Sequence, residues 1–255
     1  MTDEAVESRI NAGGPGTGPG AVGVPQTLMV AILDKSGSMH EKREDVLGGY
    51  NRFLAEQQAL PDPCRLLRVQ FDTEVLVVDA GGPVPIRDAK PLDAAATHGE
   101  QAYLPGGLTA LYDAVMAGVG MAEKHRAAGE RVLVLVITDG LENSSRETTQ
   151  AQLRAAVEAK QAAGGWTFAY VGEAPERWAG ETGMHRGGTV AYQHADPRAS
   201  FRGAGQATMA YRASAGMETR AFFGGQPVDA PTPAPPTPEP PSGDAGGFGK
   251  GWRKA

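Results

Sequence analysis

Five oxygen-bearing side chains, Asp34, Ser36, Ser38, Thr109 and Asp139, stand in three short stretches whose composition and spacing suit a bound cation. The first stretch reads Asp34-Lys35-Ser36-Gly37-Ser38-Met39 and directly follows the apolar run Leu28–Leu33. In an extended loop, positions i, i+2 and i+4 point the same way, and Gly37 permits the curl that lets the three side chains converge. Hard cations take such oxygens, but Asp and Ser after a strand also cap helices and form turns, so this segment alone leaves both readings open. The second stretch, Val136-Ile137-Thr138-Asp139-Gly140, ends another apolar run, and the third, Pro105-Gly106-Gly107-Leu108-Thr109-Ala110, puts a hydroxyl where a glycine-permitted loop turns into a helix. Taken singly, Asp139 is also a fitting turn residue and Thr109 a fitting N-cap. Their joint occurrence favours one shared cation.

That convergence depends on the elements behind the three stretches. Leu28–Leu33 and Val132–Ile137 are continuous apolar runs of strand length, as strands covered on both faces require. Between Glu41 and Gln58, the apolar residues Val46, Leu47, Tyr50, Phe53 and Leu54 recur at helical spacing. Leu66–Phe71 alternates and predicts a less buried strand, paired through the turn-like Asp72-Thr73-Glu74 with Val75–Val78 as an edge hairpin. Helical patterns follow over Leu108–Ala128 and Thr149–Ala163, a strand over Trp166–Val171, a helix near Pro175–Glu181, a short strand at Thr189–Tyr192 and a last helix over Pro197–Ser214. This alternation predicts an α/β, Rossmann-like, doubly wound and mostly parallel sheet, with one short antiparallel edge strand and helices on both faces. In such a sheet the functional loops gather at the carboxyl ends of the strands, so Asp139 should approach Asp34.

Composition narrows the classes further. The chain has 255 residues, 41% of them hydrophobic, which suits one domain over residues 25–225. Residues 1–24 form a Gly/Pro-rich leader expected to be flexible, and residues 226–255 a Pro/Gly-rich tail whose end, Gly246–Lys254, joins two aromatic residues to positive charge. The leader's glycines are not followed by Gly-Lys-Ser/Thr, which argues against a phosphate-binding loop. A formal net charge of −6 argues against a nucleic-acid surface. No apolar run approaches the ~20 residues of a membrane span. The single Cys64 cannot form an internal disulfide, and the acidic opening Met1-Thr2-Asp3-Glu4 lacks the order of a signal peptide, so the expected compartment is the cytoplasm. Cys64 reads as a small, partly buried residue, His40 as a solvated loop residue at the rim of the crevice. Tyr103 and Leu104 either flank a docking partner or pack over the Thr109 loop.

The Asp-x-Ser-x-Ser, Thr and Asp pattern strongly resembles the metal-ion-dependent adhesion site of the von Willebrand factor A family. The likeness extends through Gly106-Gly107-Leu108-Thr109-Ala110-Leu111-Tyr112-Asp113 and Thr138-Asp139-Gly140-Leu141-Glu142-Asn143-Ser144-Ser145, and covers roughly Gln26 to Ala215. Within that family the chain looks most like the uncharacterised intracellular bacterial and phage members. The resemblance implies direct coordination by Ser36, Ser38 and Thr109, with Asp34 and Asp139 acting largely through ordered water. Three neutral hydroxyls would leave Mg²⁺, or Mn²⁺ in its place, electrophilic toward one more oxygen, which an Asp or Glu of a protein partner can supply. The expected role is therefore a protein-interaction module and not an enzyme. Two alternatives remain at this point: a metal-assisted phosphoester hydrolase, which would more usually show Asp at position 36, and a metal-indifferent scaffold docking through its tail.

Overall fold

The run that begins at Leu28 is buried along its whole length because helices cover both faces of the strand it forms. The computed structural model describes residues 26–214 and 221–224. Among these residues seven strands, β1 (Thr27–Asp34), β2 (Cys64–Phe71), β3 (Val75–Val77), β4 (Val84–Pro85), β5 (Arg131–Ile137), β6 (Trp166–Gly172) and β7 (Thr189–Ala191), are interspersed with five α-helices. These are α1 (Arg43–Gln58), α2 (Leu111–His125), α3 (Gln150–Ala163), α4 (Pro175–Thr182) and α5 (Pro197–Ala213). The strands join in the order β3-β2-β1-β5-β6-β7, with β4 also paired to β2. All but β3 and β4 run parallel; those two pair antiparallel with β2. The α/β doubly wound sheet is the one the sequence predicts, with the two-residue β4 as an unforeseen second antiparallel piece.

Side chains of β1 alternate between two cores, as the pleat demands. Met29, Ala31 and Leu33 pack with Tyr50 and Phe53 of α1 and Phe201 of α5. Leu28, Val30 and Ile32 pack with Val115 and Val119 of α2 and Leu153 and Val157 of α3. Strand order reverses at β1: the chain moves to β2 on one side and returns to β5 on the other. The crevice beyond the carboxyl ends of β1 and β5 is therefore the switch point of the sheet, where parallel folds place ligands. At the opposite edge, Arg131 opens β5 by donating its backbone N–H to Gln26 O (2.9 Å) and its guanidinium to Ser214 O (2.6 Å), so the start of β1 and the end of α5 meet there.

Two expectations are corrected. β2 is not a less buried strand: Arg68 and Gln70 are 4% and 5% exposed. The segment from Asp79 to Tyr103 folds over them; Arg68 forms an ion pair with Asp79 (2.6 Å) and another with Glu100 (3.0 Å), and Gln70 donates to Ala102 O (3.0 Å). That cover has no hydrophobic period, so alternation in β2 signalled exposure where there is a polar lid. Helix α2 starts at Leu111, three residues later than its pattern suggests, because Leu108–Ala110 are held in the preceding loop, with Ala110 N–H donating to Asp72 O (2.7 Å). The leader and tail regions, including Gly246–Lys254, lie outside the described residues. Among the described residues no helix is long and apolar enough to cross a membrane.

Candidate metal centre

Asp34 is the last residue of β1 and is fully buried. One carboxylate oxygen accepts the Ser36 backbone N–H at 2.6 Å, and the other accepts the Thr138 hydroxyl. Burial pushes its pKa up to about 6 even though those hydrogen bonds pull the other way, and the nearby Asp139 charge adds to the rise. Behind it, Tyr103 is fully buried and donates its hydroxyl to Asp34 O at 2.7 Å. Tyr103 thus packs; it does not flank a docking surface.

The other oxygens are brought up by three loops sewn to one another. Ser36 is 2% exposed, and its Oγ lies 3.2 Å from Ser38 Oγ, which in turn donates to Asp139 Oδ1 at 2.5 Å. Gly37 N–H donates to Gly107 O (3.1 Å) and Gly106 N–H to Lys35 O (2.8 Å), joining the first loop to the one that carries Thr109. Gly107 has φ +69°, and a Cβ there would stand 2.5 Å from Thr73 Oγ1, so both conformation and space require glycine. Thr109 is 4% exposed and caps no helix; Ala110 is the N-cap residue of α2. Its backbone is clamped by Asn143, whose side chain accepts Thr109 N–H (2.8 Å) and whose own N–H donates to Thr109 O (3.1 Å).

A second layer fixes the loop after Asp139. Glu142 accepts backbone N–H groups from Tyr112, Ser144 and Ser145, at 2.7–2.8 Å. Asp113 accepts those of Arg146, Glu147 and Thr148, and these hydrogen bonds hold its carboxyl below the ordinary range against the opposing effect of burial. Sequence reasoning quoted Asp113, Glu142, Asn143 and Ser145 as part of a likeness without a role; the role is to lock two loops together. Thr138 was likewise quoted without a role, which is to hold Asp34; the residue missed is Lys42, whose ammonium pairs with Asp139. Nothing in the spacing of Lys42, the N-cap residue of α1, pointed to that contact.

All five predicted residues therefore line one crevice at the β1/β5 switch point, and they suit a hard divalent cation. A Cβ built on Gly140 would meet Thr109 Oγ1 at 3.4 Å and Asp34 Oδ2 at 3.9 Å, so the glycine leaves open the space those two oxygens face. The Thr109 hydroxyl makes no hydrogen bond among the described residues. No group of three His, Cys, Asp or Glu side chains gathers among the described residues to form a softer site, and the donor set is hydroxyl and carboxylate oxygen. His40 is exposed and Cys64 is buried, its thiol pushed up to about 11 by desolvation.

Neither a family model nor a curated protein matches the chain. Solved structures do. A von Willebrand factor type A protein from Catenulispora acidiphila superposes with a TM-score of 0.53 at 20% identity, over 72% of this chain and 43% of that one. The pilus adhesin SpaC from Lactobacillus rhamnosus GG does so with a TM-score of 0.52 at 12% identity, over 72% of this chain and 30% of that one. The chain spans less than half the length of either structure. With its switch-point crevice, sheet order and this likeness taken together, the domain has the fold of a von Willebrand factor type A domain.

Proposed function

We propose that this chain is a metal-dependent protein-interaction module whose divalent cation, Mg²⁺ or Mn²⁺, is held by Asp34, Ser36, Ser38, Thr109 and Asp139. The observation that carries the reading is that Asp34 and Thr109 turn oxygens toward the space beside Gly140, while Ser36, Ser38 and Asp139 are joined by their side chains at the same strand ends. When bound, the cation would supply an electrophilic position that a partner's Asp or Glu completes. The residues of the chain fix the geometry for this. Thr138 and the Ser36 N–H hold the Asp34 carboxylate, Asn143 holds Thr109, and Ser38 bridges to Asp139.

As part of this reading the chain is not an enzyme. Position 36 supports this: it is Ser, where a phosphoester hydrolase of this design would more usually carry Asp. The reading also places the chain in the cytoplasm, on the strength of a single cysteine that forms no internal disulfide. Calorimetry with MgCl₂ and MnCl₂ on wild type and Thr109→Ala tests the site. One ion per chain, with at least tenfold weaker binding by the variant, is expected; equal affinity in the two proteins would overturn the assignment.

A further inference from the structure

Among the described residues large apolar side chains are left in solvent at few places, and three of them stand on the loops that carry or support the site residues. Leu104, Leu108 and Leu141 are 48%, 54% and 39% exposed, and the only other large hydrophobic residue so exposed among the described residues is Leu76, at 48%. Leu108 precedes Thr109, Leu141 follows Asp139 by two residues, and Leu104 follows the tyrosine that supports Asp34. Resting on the reading above, we infer that these leucines form an apolar collar and that the occupant of the site is a peptide segment with one Asp or Glu flanked by apolar side chains.

Three observations favour that occupant. Charge comes first: Asp139 is paired with Lys42 and Asp72 with Lys35, Asp34 is fully buried, and Glu142 is taken up by the N–H groups of its own loop. A divalent cation added to that balance leaves the mouth of the crevice positive, which suits one carboxylate and not a second cation. Rigidity comes next, since Leu108 N–H donates to Thr73 Oγ1 (2.8 Å), Gly106 N–H donates to Lys35 O (2.8 Å), and Asn143 clamps Thr109. The leucines therefore stand on loops that need little ordering when a partner arrives. Last is pattern: three of the four large apolar side chains so exposed among the described residues fall on the loops at the crevice, whereas on an ordinary surface such residues are scattered.

A displayed library of seven-residue peptides with a fixed central Asp and random flanks, selected on the Mg²⁺-loaded chain, tests this. Leu, Ile, Val, Met or Phe should be enriched within three positions of the Asp. Binding of the enriched peptides should vanish with EDTA and weaken at least tenfold on Leu104→Ser/Leu108→Ser/Leu141→Ser, whose Mg²⁺ affinity stays that of wild type. EDTA-sensitive peptides with polar flanks that bind the triple variant equally would overturn the collar and leave the metal reading intact. Peptides that still bind in EDTA, or after Asp→Asn, would overturn the metal reading and the collar with it, as would a library that yields no EDTA-sensitive binder. Concentration-dependent dimerisation of the free chain that the triple variant loses would also overturn the proposal, making the leucines a contact between copies.

Discussion

Asp34→Asn should make the metal-free protein more stable, although Asp34 lies at the heart of the candidate site. The folded state holds this carboxyl at about 6 against an ordinary 3.8, chiefly by burial. At roughly 1.4 kcal/mol per tenfold change, keeping the group ionised in the fold costs about 3 kcal/mol at neutral pH. Asparagine removes the charge, can still accept the Ser36 N–H and can turn its amide toward the Thr138 hydroxyl; allowing about 1 kcal/mol for poorer hydrogen bonds leaves a gain of about 1–3 kcal/mol. Because the folded state binds the proton more tightly than the unfolded chain, wild-type stability falls as pH rises through the window from about 4 to about 6. With that fixed penalty of about 1 kcal/mol, the advantage of the variant should be full above about pH 7, roughly a third as large at pH 5, and gone by about pH 4.5. Thermal melts in EDTA at pH 7.5 and pH 5 measure this, with an expected rise of about 2–10 °C at the higher pH for a domain of this size. Added Mg²⁺ should raise the wild type by about 2.7 kcal/mol at a hundred times its Kd and leave the variant unmoved. A variant less stable than wild type at pH 7.5, or a gap of equal size at both pH values, would refute the reasoning.

Three further substitutions probe the supports of the site. Lys42→Met removes the ammonium paired with Asp139; with the loss of a competing positive charge worth roughly 1–2 kcal/mol, Mg²⁺ affinity by calorimetry should rise about five- to thirtyfold, and an unchanged or weaker affinity would show that Lys42 does not compete. Asn143→Ala unclasps Thr109 without removing any oxygen from the crevice, and should lower metal affinity about 10- to 100-fold while the far-ultraviolet spectrum stays native. Arg212→Met breaks a fully buried guanidinium that bonds Asp62 (2.9 Å) and Gln57 O (2.7 Å) where α5 meets α1. Urea denaturation should show a loss of about 3–5 kcal/mol, with metal affinity of the folded fraction unchanged.

The parts of this fold that announce themselves in the sequence are those decided by burial on both faces. β1 and β5 read as strands because Leu28–Leu33 and Val132–Ile137 have no polar interruption, and their ends fix where Asp34 and Asp139 stand. α3 is legible to within one residue: the pattern starts at Thr149, which is the N-cap residue and forms a capping box with Gln152. The misread parts depend on long-range polar contacts that leave no local period. Arg68 in β2 looks like a solvent residue until Asp79 folds back upon it, and the covering segment up to Tyr103 has no pattern of its own. Leu108–Ala110 carry helix-forming residue types, yet hydrogen bonds to Thr73, Asp72 and Asn143 hold them out of α2. Lys42 pairs with a carboxylate 97 positions away, a distance over which spacing says nothing.

The meeting of Gln26, Arg131 and Ser214 at the amino edge of the sheet has a practical bearing on how this molecule can be handled. β1 runs from that edge to Asp34, a span of roughly 25 Å at about 3.3 Å per residue. Whatever is joined ahead of Gln26 is thus attached on the far side of the sheet from the crevice. A chain shortened to begin at Gln26 and anchored there to a sensor surface or a bead presents the crevice to the solution, with the full height of the sheet as a spacer.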